Sequence, residues 1–423
     1  MREMKDSGIA WIGEIPDDWR IIRNKNAFTC SKELVGEKSE LTQLLSLTTR
    51  GIKKKDINNA EGKLPESFDT YQFVKENDLV MCLFDLDCSA VFSGISPYNG
   101  MISPAYRVLS CKKCMEPKYA DYWFQYISDG RKFNHYAKNI RYTLSYEEFS
   151  ALPLLLPERN EQRRIADYLD RKCSQIDAII ARQQEVIEKL KAYKLSIITE
   201  AVTKGLNPDV PMKDSGVEWI GEIPEHWDFR KIKNCCLIVD CKNRTPDPDP
   251  DGEYIVVRTT CIRDGSFSYE GSYHTNAENF KEWTAKGQPQ HGDIFFTREA
   301  PMGEACLVPD ADNLCMGQRV MFFRPLDGSD PRYILYSIYG PLAREYIDSK
   351  NKGSTVGHLK LGQVASLPLF YCPPKEQSEI ANYLDKWCEA IDKVVEKKTE
   401  IISRLTDYKK SLIYEVVTGK KEV

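Results

Sequence analysis

Two segments of this 423-residue chain each occur twice, in the same order and at nearly the same spacing, and this duplication restricts the possible folds more than any other feature. The first is short: Met4 to Trp19 recurs as Met212 to Trp227, an offset of 208 residues, with twelve of sixteen positions identical. The second is longer and more diverged: Leu152 to Leu206 aligns with Leu367 to Lys421 at an offset of 215. Within it Glu161-Gln162 returns as Glu376-Gln377, Tyr168-Leu169-Asp170 as Tyr383-Leu384-Asp385, and Ile176-Asp177 as Ile391-Asp392. Tyr193-Lys194 and Val202-Thr203 return as Tyr408-Lys409 and Val417-Thr418. Two copies are too few for a stacked solenoid, so the pattern predicts two half-molecules in a pseudo-two-fold arrangement. The segments read as a docking signature over 1–19, a variable block over 20–151, a helical spacer over 152–206, a second signature over 207–227, a second block over 228–366 and a second helical spacer over 367–423.

Each signature joins a turn-forming Asp-Ser-Gly to a Trp and to an Ile-Pro that precedes a second Trp. This is the chemistry of an apolar hook, and its plainest role is a packing clip.

From Glu158 to Thr203 there are few breakers, and apolar residues fall three and four apart, predicting a long helix with a heptad seam through Leu169, Cys173, Ile176, Ile180, Ile187 and Leu190. The second copy keeps the register with Leu384, Cys388, Ile391, Val395, Ile402 and Leu405, and polar Gln183 and Lys398 fall at equivalent seam places. Pro153 and Pro157 precede the first helix, Pro373 and Pro374 the second, and Gly205 and Gly419 suit the stops. A helix of about 40 residues is about 60 Å long and needs a long partner. Antiparallel pairing of the two helices within one chain gives a rod with a variable block at each end; parallel pairing between two copies of the chain is the alternative. Both blocks show short strand-like runs, at Asp78 to Phe84 and Asp293 to Thr297, so each is expected to be mixed α/β. The fold class expected is α+β, with two mixed α/β domains joined by two long antiparallel helices as a coiled coil.

Hydrophobic residues make up 42% and charged residues 29%, a balance that favours a folded chain over a disordered one. The longest apolar stretches, such as 152–156 and 255–257, fall far short of the roughly 18 to 20 residues of a membrane-spanning helix. The amino terminus carries no apolar core, so no secretory signal is expected, and a cytoplasmic, reducing location follows in which most of the 14 cysteines are thiols. The net charge of −4 does not announce a nucleic-acid binder. Arg20 to Ser150 holds 19 basic against 16 acidic residues and Asp228 to Ala365 holds 17 against 19, so any basic surface must be local.

No phosphate-binding glycine loop, nucleophile elbow, His-Glu-x-x-His or dinucleotide glycine run occurs, and no catalytic residue is assigned. The five histidines are scattered without ligand spacing, and Cys111-Lys112-Lys113-Cys114 has no second pair, so no metal site is expected. Asp247-Pro248-Asp249-Pro250-Asp251-Gly252 reads as a solvated loop. Cations beside polar residues are the informative feature, because Lys and Arg neutralise phosphates while Arg, Asn, Gln, Ser and Thr read base edges. In the first block these are Arg50, Lys53, Lys54 and Lys55 in a loop-like stretch, then Lys138 and Arg141. In the second they are Lys242, Asn243, Arg244, Arg258, Arg298, Lys350, Lys352 and Ser354.

These motifs together resemble, over essentially the whole chain, the specificity subunits of type I restriction-modification systems. That family often opens each recognition domain with Gly-x-x-Trp-Ile-Gly-x-Ile-Pro-x-x-Trp, which stands here as Gly8 to Trp19 and Gly216 to Trp227. Its helical pattern Glu-Gln-x-x-Ile-Ala-x-Tyr-Leu-Asp stands as Glu161 to Asp170 and Glu376 to Asp385. The resemblance implies a non-catalytic reader of double-stranded DNA that assembles with two methyltransferase subunits and two ATP-driven translocase-nuclease subunits. S-adenosylmethionine, ATP and Mg would then serve the partners, and this chain would need no cofactor. The recognition blocks vary most in the family, so its pattern does not set their targets. Two different blocks about one helical turn apart, roughly 34 Å, imply a split, asymmetric target with half-sites of about three or four base pairs and a spacer of about six or seven. A coiled-coil scaffold that bridges two proteins without DNA is the alternative; steep salt dependence of duplex binding separates the two.

Overall fold

The computed structural model describes residues 2–48, 51–56, 65, 67–86, 93–136, 142–326, 328–351 and 357–423. The chain forms two compact units, one of residues 1–184 with 399–423 and the other of residues 185–398. Each therefore holds one signature, one variable block, the beginning of one long helix and the end of the other. Helices and short, mostly antiparallel strands are mixed in both, an α+β architecture. No helix among the described residues is long and apolar enough to cross a membrane.

In the first unit the signature folds as a hairpin, Met4–Asp6 against Glu14–Pro16. Its turn is set by the Asp6 carboxylate, which accepts from Gly8 N–H at 2.9 Å. The hairpin delivers Trp19, 1% exposed, into a core shared with Phe28, Trp123, Phe124 and Leu169. The block contains a four-stranded antiparallel sheet in the order Phe28–Ser31, Arg107–Cys111, Leu79–Met81 and Ser93–Ile95. Its helix Pro117–Asp129 starts with proline at the first turn, where the missing N–H costs nothing. The block closes with Pro153–Leu156 paired to Arg20–Arg23, which leads directly into the first long helix, Arg159–Lys204.

The second unit repeats the plan. Met212–Asp214 pairs with Glu222–Pro224, Asp214 accepts from Gly216 N–H at 2.9 Å, and Trp227 is fully buried. The sheet order is Cys236–Val239, Val320–Pro325, Ile294–Thr297 and Ala305–Leu307, with the helix Pro331–Tyr339 in the place of Pro117–Asp129. Asp228–Lys231 pairs with Pro368–Tyr371 and feeds the second long helix, Pro374–Val417. This block also holds a three-stranded sheet, Tyr273–Thr275, Tyr254–Val257 and Leu314–Met316.

The repeated motifs are the joints between block and helix. Glu161 accepts the Trp19 indole N–H at 3.1 Å, and Glu376 accepts that of Trp227 at 3.0 Å. Gln162, fully buried, accepts from Glu116 N–H at 2.8 Å and donates to the carbonyls of Cys114 and Pro157 at 2.9 Å each. Gln377 does the same with Asp330 N–H at 3.0 Å and the Cys372 carbonyl at 2.7 Å. Glu116 and Asp330 are the N-cap residues of the two block helices, so each glutamine satisfies an amide that helix geometry would leave unpaired. Asp170 takes Tyr122 at 2.8 Å and Lys118 at 2.6 Å; Asp385 takes Tyr336 and Arg332, both at 2.7 Å.

The seam residues lie on the inner faces of the long helices. In the first unit Leu169 and Ile176 are buried and Ile180 and Leu405 half-buried in a core that includes Leu412 and Val416; Ile402 is half-buried. In the second, Leu384 and Ile391 are buried with Ile197, Ala201 and Val202, and Leu190 and Val395 pack against them; Ile187 is buried. Two lysine–aspartate pairs flank these contacts: Lys409 meets both carboxylate oxygens of Asp177 at 2.7 Å, and Lys194 meets Asp392 at 2.7 and 2.8 Å. At the 215-residue offset Asp177 corresponds to Asp392 and Lys194 to Lys409, so the lysine of each repeat binds the aspartate of the other.

Candidate nucleic-acid interface

The second unit's sheet ends in a polar cleft. Three strand ends converge there because the sheet is antiparallel: Val239 pairs with Phe322 and Thr297 with Val320, so the segments 240–244, 298–301 and 317–319 leave the sheet on one side. Arg298 N–H donates to the Arg319 carbonyl at 3.0 Å, and Leu359 N–H to the Arg298 carbonyl at 3.0 Å, which brings in His358. Ala300 at φ 50° and Arg319 at φ 73° turn the chain at the rim, in the left-handed region that non-glycine residues seldom occupy. Cys241, Asn243, Arg298, Glu299, Gln318, Arg319 and His358 line a cleft of about 290 Å³.

Its charges are organised in two layers. Beneath lies Arg298, 8% exposed, whose Nη1 binds both oxygens of Asp240 at 2.9 and 3.1 Å and whose Nε donates to the Leu359 carbonyl at 2.9 Å. Above it Glu299 pairs with Arg319 and with His358 Nδ1 at 3.0 Å. The His358 imidazole is held below its ordinary pKa by burial and by the guanidinium groups of Arg298 and Arg319, which disfavour a further positive charge. Gln318 Nε2 donates to the Asn243 carbonyl at 3.1 Å, fixing the loop that carries the exposed Asn243 side chain.

The rim beside Asn243 is cationic. Lys242 Nζ and the Arg244 guanidinium each stand 4.8 Å from the Trp283 ring, and both pair with Glu282, Lys242 at 2.6 Å. Trp283 is buried and donates its indole N–H to the Arg244 carbonyl at 3.2 Å, so the stack is anchored.

The equivalent place in the first block is chemically different. Leu144 N–H donates to the Leu83 carbonyl at 2.8 Å, as Leu359 does to Arg298, and both residues of each pair are related by the 215-residue offset. Strand register then sets Leu83 against Arg298, Phe84 against Glu299, Ala105 against Arg319 and Thr143 against His358. Phe84 lies 5.9 Å from Tyr106, ring centroid to ring centroid. The four residues compared are uncharged in the first block, whereas their counterparts in the second form a network of ion pairs.

Of the sequence candidates, Arg50, Lys138, Arg141, Lys352 and Ser354 lie outside the described residues. The stretch expected to be loop is a strand in part: Lys53 and Lys54, both exposed, belong to Gly51–Lys54, which pairs with Leu45–Thr48. Lys54 Nζ lies 4.8 Å from the Tyr98 ring, and Lys55 N–H donates to the Leu44 carbonyl at 2.9 Å. Lys242, Asn243 and Arg244 share the cleft rim. Arg258 is exposed near the Gly271 carbonyl, 3.5 Å away; Arg298 is buried beneath the cleft; Lys350 lies over Tyr346 at 4.8 Å on the helix Pro341–Asn351. Gln318, Arg319, Glu299, His358 and Trp283 were not legible as site residues. A sequence signal exists for Glu299, the replacement of Leu83-Phe84 by Arg298-Glu299 once the repeat offset is carried back into the blocks.

Each unit is thus a sheet-and-helix block fixed to a long helix by duplicated Trp–Glu, Gln and Tyr–Asp joints, and the second carries a polar cleft. Residues 224–403 match the type I restriction modification DNA specificity domain family. The MjaX specificity subunit of Methanocaldococcus jannaschii is 23% identical over 97% of this chain and 96% of its own length. The EcoKI specificity subunit of Escherichia coli is 23% identical over 64% of this chain and 58% of its own. A solved chain from a type I restriction-modification system, 13% identical, has the same fold with a TM-score of 0.67 over 96% of this chain and 99% of that one. The chain is thus similar over nearly its whole length to type I restriction-modification specificity subunits.

Proposed function

We propose that this chain is the DNA-reading subunit of a type I restriction-modification complex, without an active site of its own, and that its target is bipartite and asymmetric. The observation that carries this reading is a scaffold built twice around chemically different recognition ends: Leu83, Phe84, Ala105 and Thr143 in one block stand where Arg298, Glu299, Arg319 and His358 stand in the other. Identical joints with different reading ends fit two different half-sites.

Residues 20–151 and 228–366 are the two target-recognition domains, and the long helices between and after them form an antiparallel coiled coil related by a pseudo-two-fold axis. Support comes from the reciprocal pairs Lys409–Asp177 and Lys194–Asp392. The half-sites are about three or four base pairs each, separated by a spacer of about six or seven, which places them in successive major grooves. Adenine methylation resides in two methyltransferase subunits that use S-adenosylmethionine. Cleavage resides in two translocase-nuclease subunits that use ATP and Mg, and the assembly works in the cytoplasm. Support for partner docking comes from Tyr383, Trp387 and Val394, exposed apolar residues at helical spacing on the second long helix. Exchanging residues 20–151 for the corresponding block of a relative tests the reading: one half-site is expected to change and the other to stay, and unchanged specificity would contradict it.

A further inference from the structure

We propose that the cleft at the end of the second unit's sheet reads base edges, with Asn243 and Gln318 as the specificity-determining side chains and Lys242 and Arg244 as the phosphate clamp beside them; this rests on the DNA-reading function proposed above. The division follows from what each group is already bound to. The Arg298 guanidinium is buried and held by Asp240 and a backbone carbonyl, so it shapes the cleft floor rather than reaching a ligand. Glu299 engages Arg319 and His358, which holds those two side chains in place at the wall.

Asn243 and Gln318 are uncharged amides on two adjacent segments, and a carboxamide offers two N–H donors and a carbonyl acceptor in one plane, so that even Gln318, with one N–H given to the Asn243 carbonyl, keeps the donor and acceptor that match an adenine edge in the major groove. Their loops are fixed to each other by the Gln318 Nε2 bond to the Asn243 carbonyl at 3.1 Å, which limits the conformational cost of reading. Lys242 and Arg244 flank Asn243 in sequence and stack on Trp283, so they stand beside the amides as a rigid cationic rim. Phosphate contacts from such a rim set the register in which the amides meet a base pair. In the first block Leu83, Phe84, Ala105 and Thr143 take the places of Arg298, Glu299, Arg319 and His358, and Phe84 lies beside Tyr106, so the two blocks are expected to read their half-sites with different side chains.

The test is selection from a library of 40-base-pair duplexes with a randomised centre, using the full-length chain purified with its methyltransferase partner. Wild type, N243A, Q318A and R244A are compared, with thermal melting to show that each variant is folded. Wild type is expected to enrich a split motif. N243A and Q318A are expected to lose base preference at one or two adjacent positions of one half-site and to bind the parent site roughly 5- to 100-fold more weakly. R244A is expected to weaken binding without altering the motif. If N243A and Q318A enrich the wild-type motif, or lose affinity evenly with no change of preference, the cleft does not read bases and the inference is overturned while the DNA-reading function stands. If wild type enriches no motif, that function fails and this inference fails with it.

Discussion

The Trp227 indole N–H donates to Glu376 at 3.0 Å, and the neighbouring residue on the helix, Gln377, holds the N-cap amide of Pro331–Tyr339 at 3.0 Å. The same two bonds join Trp19 to Glu161 and Gln162 to Glu116 in the other unit. Signature, block and long helix are thereby locked at one corner by two consecutive side chains. The hook suggested by the sequence docks on its own chain.

That corner has a measurable energy. Gln377→Ala leaves the buried Asp330 amide and the Cys372 carbonyl unpaired and is expected to destabilise its unit by about 1–3 kcal/mol. Trp227→Ala removes a fully buried indole and is expected to cost about 3–5 kcal/mol. Urea denaturation followed by circular dichroism reads both, and a loss under about 0.5 kcal/mol for either would show the joint to be ornamental.

The two stop glycines are expected to tolerate alanine unequally. Gly205 has φ 70° and Gly419 φ 73°, so alanine at either takes a left-handed conformation that costs about 1–2 kcal/mol. A Cβ on Gly205 would lie 3.3 Å from Trp227, whereas one on Gly419 would lie 2.4 Å from the Pro16 ring and 3.1 Å from Trp19. G419A must displace a proline ring and is expected to lose about 2–4 kcal/mol in total. Melting curves that rank G205A as the more damaging would contradict the packing described.

The reciprocal ion pairs are partly solvated: the lysine side chains are 23% and 27% exposed and the aspartates 57% and 55%. Each is therefore expected to couple by only about 0.2–1 kcal/mol in a double-mutant cycle. Charge exchange, K194D with D392K, is expected to recover most of what either substitution alone loses. Failure of the exchange to recover stability would mean that the pair does not help set helix register.

Binding to a duplex of any sequence is expected to depend on the rim cations. Arg244, with 65% of its side chain exposed, is expected to contribute about one unit to the slope of log affinity against log salt, and R244A to remove it. Glu282 competes with phosphate for Lys242 and Arg244, so E282Q is expected to strengthen nonspecific binding. Fluorescence anisotropy at several salt concentrations measures both effects; an unchanged slope in R244A would remove this residue from the interface.

Much of the scaffold was legible because its chemistry recurs. Asp177 and Lys194 stood out by returning as Asp392 and Lys409, and periodicity located Leu169 and Leu384, both fully buried. The purpose of Gln162 was not legible, because its partners are backbone groups of Cys114, Glu116 and Pro157 that no side-chain pattern marks. The cleft was legible only in part. Lys242 to Arg244 stood out as a polar cluster, but Arg298 drew notice as a cation although burial and Asp240 engage it. Gln318 and Arg319 reach the cleft through antiparallel register between strands far apart in sequence, which composition and local spacing do not reveal.

Sequencing of methylated adenines in DNA from cells carrying the methyltransferase partner, with and without this chain, tests the central claim most directly. A split, asymmetric motif present only with the chain is the predicted result, and it delivers both half-sites and the spacer together. A continuous palindrome, or a motif that persists when the chain is absent, would contradict it.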